Sequence, residues 1–153
     1  MVKVLFVCLG NICRSPMAEF VMKHLVKQAG LEKQISISSA ATSTEAVGCD
    51  IHRGTKDKLF EHGIKFEKRR AVQMKKDDYE KYDLIVGMDS SNISNILAIT
   101  GGDSEGKVRM LLEYAGEKRA IADPWYTGNF AQTYDDVVRG CRYLLEYIKE
   151  NML

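Results

Sequence analysis

At 153 residues, the chain has the length of one ordinary domain that buries about 70% of its unfolded surface, and is too short for two of that size. Lys and Arg number 22 against 21 Asp and Glu, a formal net charge of +1, so the bulk electrostatics exclude any strong pull toward nucleic acid or a membrane surface. No apolar run approaches the ~20 residues of a membrane span and Met1 leads within two residues into an apolar run with no room for a signal peptide, so a cytoplasmic protein with reduced cysteines is expected.

Lys3–Val7 reads as a central strand, because Val4-Leu5-Phe6-Val7 is continuously apolar. After a loop, Ala18, Val21, Met22, Leu25, Val26 and Ala29 repeat at helical spacing and predict a helix over Pro16–Ala29. Ser15 is a favoured N-cap and Pro16 suits the first helical position. Gln34–Ser39 is the second predicted strand, followed by a polar loop from Ala40 to Asp50. His52–His62 is predicted as a helix stopped by Gly63. A helical turn near Lys76–Tyr82 precedes a third strand over Leu84–Met88. Ser90 or Ser91 is expected to cap the helix running to Ile99, and Lys107–Leu111 is the fourth strand. The last helix covers Ala131–Asn151, its buried face formed by Val137, Val138, Cys141, Leu144, Leu145 and Ile148. Such alternation argues for a parallel sheet covered by helices on both faces. Binding sites in such sheets lie outside the carboxyl ends of the strands, where Cys8 stands.

The segment from Cys8 to Ser15 carries the chemistry. Amides at a helix start, the loop amides and the guanidinium of Arg14 all favour an anion, and the same field favours an ionised thiol at Cys8. Arg14 offers a planar fork that grips two oxygens of a phosphoryl group, which lysine does not. Gly10 allows close backbone approach and a positive φ, and Asn11 tolerates a left-handed conformation better than most residues. Taken singly, a cysteine ending a strand is usually a small hydrophobe and an arginine near a helix start is usually solvated. Their combination with Ser-Pro between strand and helix favours a nucleophile in a phosphate cradle.

Cys8-Leu9-Gly10-Asn11-Ile12-Cys13-Arg14-Ser15 resembles the C-x-G-N-x-C-R-S phosphate-binding loop of the low-molecular-weight protein tyrosine phosphatases. The resemblance implies Cys8 as nucleophile, Arg14 as phosphate clamp, Ser15 as hydroxyl donor to the thiolate, and Asn11 as a structural residue. It also implies that Ser39 hydrogen-bonds Asn11, although a loop hydroxyl more simply bonds its own backbone. By the same resemblance Cys13 can trap oxidised Cys8 as a reversible disulfide; a packing role is compatible with this. The sheet order implied is 2-1-3-4, in a single flavodoxin-like domain covering residues 1–153.

Asp123-Pro124-Trp125-Tyr126 looks like the family's acid loop, with Asp123 as general acid. Expelling a phenolate from phosphorus is easier when a carboxylic acid protonates the departing oxygen, and Pro124 restricts Asp123 to an extended conformation. Trp125 and Tyr126 are expected to wall a slot for an aromatic ring. Asp89, in Met88-Asp89-Ser90-Ser91-Asn92, either anchors Arg14 from behind or caps a helix. No cofactor and no metal is expected, and His24, His52 and His62 lack ligand spacing and read as surface or packing residues. The basic stretch through Lys65, Lys68, Arg69, Arg70, Lys75 and Lys76 reads as a solvated loop.

The expected partner is a phosphotyrosine-containing protein or peptide, with phosphate or a similar oxyanion bound in the loop and a monomer or weak dimer as the state. Ile12 favours phosphotyrosine, since relatives acting on phosphoarginine carry threonine there. Glu45 stands where the family often has an aromatic residue. Arsenate reduction on the same fold would need two further cysteines spaced for a relay, and Cys49 and Cys141 are isolated. A phosphocysteine carrier of sugar transport would have no use for Asp123. A binding module without turnover would not need Cys8, Arg14 and Asp123 together.

Overall fold

A computed structural model describes residues 1–153. Four parallel strands form one sheet in the order β2-β1-β3-β4, with β1 at Val2–Cys8, β2 at Ile35–Ala41, β3 at Leu84–Gly87 and β4 at Val108–Met110. The helices are α1 (Arg14–Gln28), α2 (Arg53–Glu61), α3 (Asp78–Lys81), α4 (Ser90–Thr100), α5 (Pro124–Thr127) and α6 (Phe130–Asn151), with a 3-10 turn at Leu111–Ala115. The expected order and the helix-covered parallel sheet are therefore present.

The pleat of β1 divides the core. Val2, Val4, Phe6 and Cys8 face the larger cluster, built with α1, α2 and α6, whereas Leu5 and Val7 face a smaller one with Ile85, Ile96 and Tyr79. Chain direction across the sheet reverses at β1, since β2 lies on one side and β3 on the other. The crevice at that reversal opens at Cys8.

Three element boundaries differ from those expected. Helix α1 starts at Arg14 with Cys13 as N-cap, so Ser15 and Pro16 sit inside its first turn and Ser15 is not the cap. The cap of α4 is Asp89, whose side chain accepts the Asn92 N–H, and neither Ser90 nor Ser91 serves. Strand β2 runs two residues past Ser39, because Thr42 N–H and Ser43 N–H continue onto the carbonyls of Cys8 and Leu9.

Helix α6 packs closely on the 3-10 turn at Gly140, where a β-carbon would collide with Leu111 Cγ. Leu111 is fully buried and has nowhere to retreat. Gly140→Ala gains about 1 kcal/mol of helix propensity but overpacks the core by more, so a net loss of about 1–2 kcal/mol is expected in urea unfolding. Equal or greater stability in the variant would show that the turn can yield.

Candidate active site

The carboxyl end of β1 delivers Cys8 to a loop that turns directly into α1. Cys8 is buried, yet its Sγ lies 3.0 Å from Ser15 Oγ and accepts the Asn11 backbone N–H at 3.3 Å. The loop turns on Asn11, the one non-glycine residue with positive φ, at 57°. Gly10, which would allow a positive φ, does not adopt one; the left-handed step falls on Asn11, the residue expected to tolerate it. Asn11 sustains it because its amide is tied on every side. Oδ1 accepts the Val72 N–H at 3.2 Å, and Nδ2 donates to Ser15 Oγ at 2.8 Å and Ser39 Oγ at 2.9 Å.

This amide fixes the direction of the hydrogen bonds behind the loop. Val72 N–H is a donor, so the oxygen of Asn11 must face it and the nitrogen must face the two hydroxyls. Ser15 then receives a hydrogen from Asn11 and has its own left for Cys8 Sγ. Ser39 passes its hydrogen to Glu19, which Lys23 also holds at 2.6 Å, and receives Arg69 Nη2 at 3.3 Å. The sulfur therefore faces hydrogen donors. Asn11→Ala would lose these bonds and keep the unfavourable φ, at a cost of about 3 kcal/mol in thermal or urea unfolding. Asn11→Gly should recover the backbone part only, and equal losses in the two variants would contradict this division.

Arg14 is 2% exposed, and its guanidinium is anchored at one end. Nη1 donates to Asp89 Oδ2 at 2.7 Å and to the Ile121 carbonyl at 2.9 Å, while Nη2 reaches Asp123 Oδ2 at 3.5 Å. Asp89 thus both anchors Arg14 and caps α4, one oxygen for each task. Buried Nε has no protein partner, so the Nε–Nη2 edge is the part of the fork left for two oxygens of a ligand. The backbone N–H groups of Leu9, Gly10, Ile12, Cys13, Arg14 and Ser15 take no part in the loop, turn or cap hydrogen bonds. Of these residues, Leu9, Gly10, Ile12, Cys13 and Arg14 line the same pocket.

Asp123 is extended (φ −79°, ψ 113°), as a residue before proline should be, and Pro124 opens the short helix α5. Oδ1 of Asp123 accepts the Trp125 N–H at 3.0 Å, which leaves Oδ2 turned to Arg14. Trp125 and Tyr126 follow, 60% and 75% exposed. With them, Cys8, Leu9, Gly10, Ile12, Cys13, Arg14 and Asp123 line one pocket of about 370 Å³. Asn11, Ser15 and Ser39 stand behind the loop instead of in the pocket. Burial pushes the Cys13 thiol up to about 12, helped by the negative charges of Asp123 and Cys8 and opposed by Arg14. At neutral pH Cys13 is thus uncharged.

The sequence marked Glu45 but gave no sign of Ala46, Cys49 or Glu19, and it placed Arg69 in solvent. Glu45, Ala46 and Cys49 line the pocket together with Trp125 and Tyr126, so a carboxylate stands where the family often has a ring. Arg69, expected in a solvated stretch, turns inward to Ser39. Glu19, on a helical face that carried no motif, ends the hydroxyl network. Only the polar character of Glu19 within a buried helical turn could have signalled it.

An amide-lined loop with a buried, half-anchored arginine and a thiol, at the reversal point of a parallel sheet, defines an α/β protein built to handle phosphate. The family profile described as low molecular weight phosphotyrosine protein phosphatase matches residues 3–153. The chain is 38% identical over 152 residues to the low molecular weight protein-tyrosine-phosphatase YfkJ of Bacillus subtilis, covering 98% of this chain and 97% of that one. It is 40% identical over 149 residues to PtpA of Staphylococcus aureus, a protein of the same description, covering 97% and 94%. The crystal structure of YfkJ superposes with a TM-score of 0.96 at 37% identity over 100% of this chain and 98% of that one. That of a Drosophila arginine phosphatase superposes with a TM-score of 0.89 at 30% identity, covering 98% and 99%. The chain belongs to the low molecular weight phosphotyrosine protein phosphatase family and is an enzyme of that class.

Proposed function

We propose that this enzyme hydrolyses aryl phosphate monoesters, phosphotyrosine in proteins or peptides foremost, through a phosphocysteine on Cys8. The observation that carries the reading is the facing of Cys8 Sγ by hydrogen donors, with the free edge of Arg14 and Oδ2 of Asp123 on the same pocket. The phosphoryl oxygens occupy the loop amides and the Nε–Nη2 edge, where charge spread over them is met by preorganised donors. Arg14 Nη2 exchanges its long contact with Asp123 for a phosphoryl oxygen.

The thiolate of Cys8 then attacks phosphorus in line. The S–P bond forms, the P–O bond to the phenol breaks, and protonated Asp123 delivers its hydrogen to the departing oxygen. In the second step water attacks the phosphocysteine. Asp123 takes a proton from that water, the S–P bond breaks, and inorganic phosphate leaves behind the thiolate. Arg14 and the loop amides supply the charge stabilisation themselves, so turnover with a chelator present is expected.

The same loop could receive a phosphoguanidinium, as the similarity to an arginine phosphatase suggests. Ile12, apolar and branched on the pocket wall, supports the aryl ester instead. Turnover of a phosphotyrosine peptide against a phosphoarginine peptide, compared by kcat/KM, tests this; a preference for phosphoarginine would overturn it. Asp123→Asn is expected to slow phenyl phosphate about 10²–10⁴-fold. p-Nitrophenyl phosphate, whose leaving group needs less help, should be slowed less. Equal slowing of both esters would remove Asp123 from the acid role.

A further inference from the structure

We propose that His52 is the positioning residue that holds Trp125 in place as the wall of the aryl slot, and that it thereby sets the preference for aryl over alkyl phosphates. The inference rests on the aryl phosphatase reading above.

His52 is tied to the phosphate loop, because its backbone N–H donates to the Ile12 carbonyl at 2.8 Å. It is also the N-cap of α2, with Nδ1 accepting the Gly54 N–H at 3.0 Å. That bond places an acceptor lone pair on Nδ1 and fixes the plane of the ring. One face of the imidazole stacks on Phe130 at the start of α6, with centroids 5.0 Å apart and planes 19° from parallel. Trp125 meets the same ring in an edge geometry, 5.6 Å away at 84°.

Phe130 reaches this position only because residue 54 is glycine. A β-carbon there would stand 2.5 Å from Phe130 Cζ. The stack is therefore anchored by α6 on one side and by the α2 cap and phosphate loop below, and it terminates on Trp125. The indole is 60% exposed and has no ring contact except His52. A side chain so exposed would otherwise populate several rotamers, and an aromatic contact worth a factor of roughly two to ten selects among them. Asp123 lies two residues away and is held by the Trp125 N–H, so the backbone that carries the acid is fixed independently of the indole. The effect of His52 should fall on recognition of the ring.

Two variants separate the ring from the cap. His52→Asn keeps a side-chain oxygen for Gly54 N–H and removes the ring; His52→Phe keeps a ring and removes the acceptor. Trp125 is the single tryptophan of the chain, so its fluorescence reports the contact directly. In His52→Asn, acrylamide quenching of Trp125 should rise. The KM for phenyl phosphate should increase roughly twofold to tenfold with kcat nearly unchanged, while a short alkyl phosphate is unaffected. His52→Phe should keep the wild-type quenching and the aryl-to-alkyl ratio, at a lower melting temperature. Should α2 fail to form in either variant, Phe130→Leu removes the supporting ring from the other side and should raise quenching and the aryl KM in the same direction.

Unchanged quenching and an unchanged aryl-to-alkyl ratio in both His52→Asn and Phe130→Leu would overturn the proposal, as would equal losses in His52→Asn and His52→Phe. A wild-type enzyme with no aryl preference would overturn the specificity role along with the aryl reading. In that case Cys8-dependent turnover of other phosphate esters would show that the covalent chemistry itself stands.

Discussion

Replacing Cys8 with serine is expected to lower kcat for p-nitrophenyl phosphate by at least about 10⁴-fold while leaving the fold intact. The loss is large because the chemistry asks for an ionised nucleophile that forms a bond to phosphorus, and a serine hydroxyl in the same place is far too weak an acid to supply one. The Ser15 hydroxyl and the Asn11 N–H, placed 3.0 and 3.3 Å from the sulfur, would meet a neutral oxygen. Thermal unfolding should hardly change, since the oxygen remains within reach of the same donors. Phosphate affinity should be kept or rise, because one negative charge has left a site that receives another. Such a variant should retain phosphotyrosine proteins without turning them over, and a pull-down with it would identify the physiological substrate. Residual turnover within tenfold of wild type would remove Cys8 from the nucleophile's role.

Arg14→Lys is expected to lose about 10³–10⁵ in kcat, close to Arg14→Ala, in spite of its retained charge. The guanidinium performs three separate tasks at fixed angles. Nη1 binds Asp89 and the Ile121 carbonyl, Nη2 reaches Asp123, and the Nε–Nη2 edge is left for phosphoryl oxygens. A single ammonium in the same shaft meets Asp89 or the phosphate but not both. In Arg14→Ala the carboxylates of Asp89 and Asp123 also lose their shared cation, at side-chain exposures of 25% and 19%. After allowance for that partial exposure, a stability loss of about 2 kcal/mol is expected in urea unfolding, with Arg14→Lys between it and wild type. An Arg14→Lys enzyme within tenfold of wild type would show that charge alone suffices.

What could be read from the sequence was what neighbours in the chain decide. Val4–Val7, the loop and the apolar spacing of α1 are contiguous, so strand, cradle and helix appear as one pattern with Cys8 and Arg14 already placed. Asp123 was legible for a similar reason, since proline fixes the backbone of the residue before it. Misplaced boundaries arose where distant groups compete for a side chain. Ser15 is a good cap by itself, but Cys8 Sγ and Asn11 Nδ2 engage its hydroxyl, and α1 begins on Cys13 without a side-chain cap.

Asn11 takes the positive φ instead of Gly10 because only a side-chain amide can join Ser15, Ser39 and Val72. Phe130, His52 and Trp125 meet only after α2, α5 and α6 have docked, so nothing in the local pattern marks His52 as more than packing. Arg69 was hidden within a basic run whose other members look to solvent, and its inward turn depends on Ser39 at the end of β2. Both residues became legible only through tertiary contacts.

The most direct test is to trap the intermediate. Asp123→Ala should slow breakdown of the phosphoenzyme as well as its formation, so acid quenching during turnover of p-nitrophenyl phosphate, followed by peptide mass analysis, should find one phosphoryl group on the peptide holding Cys8. Its phosphorus resonance should be that of a thiophosphate ester, and Cys8→Ser should show none. Phosphoryl transfer to another residue, or turnover that proceeds with no phosphoryl group on Cys8 at any time point, would contradict the account.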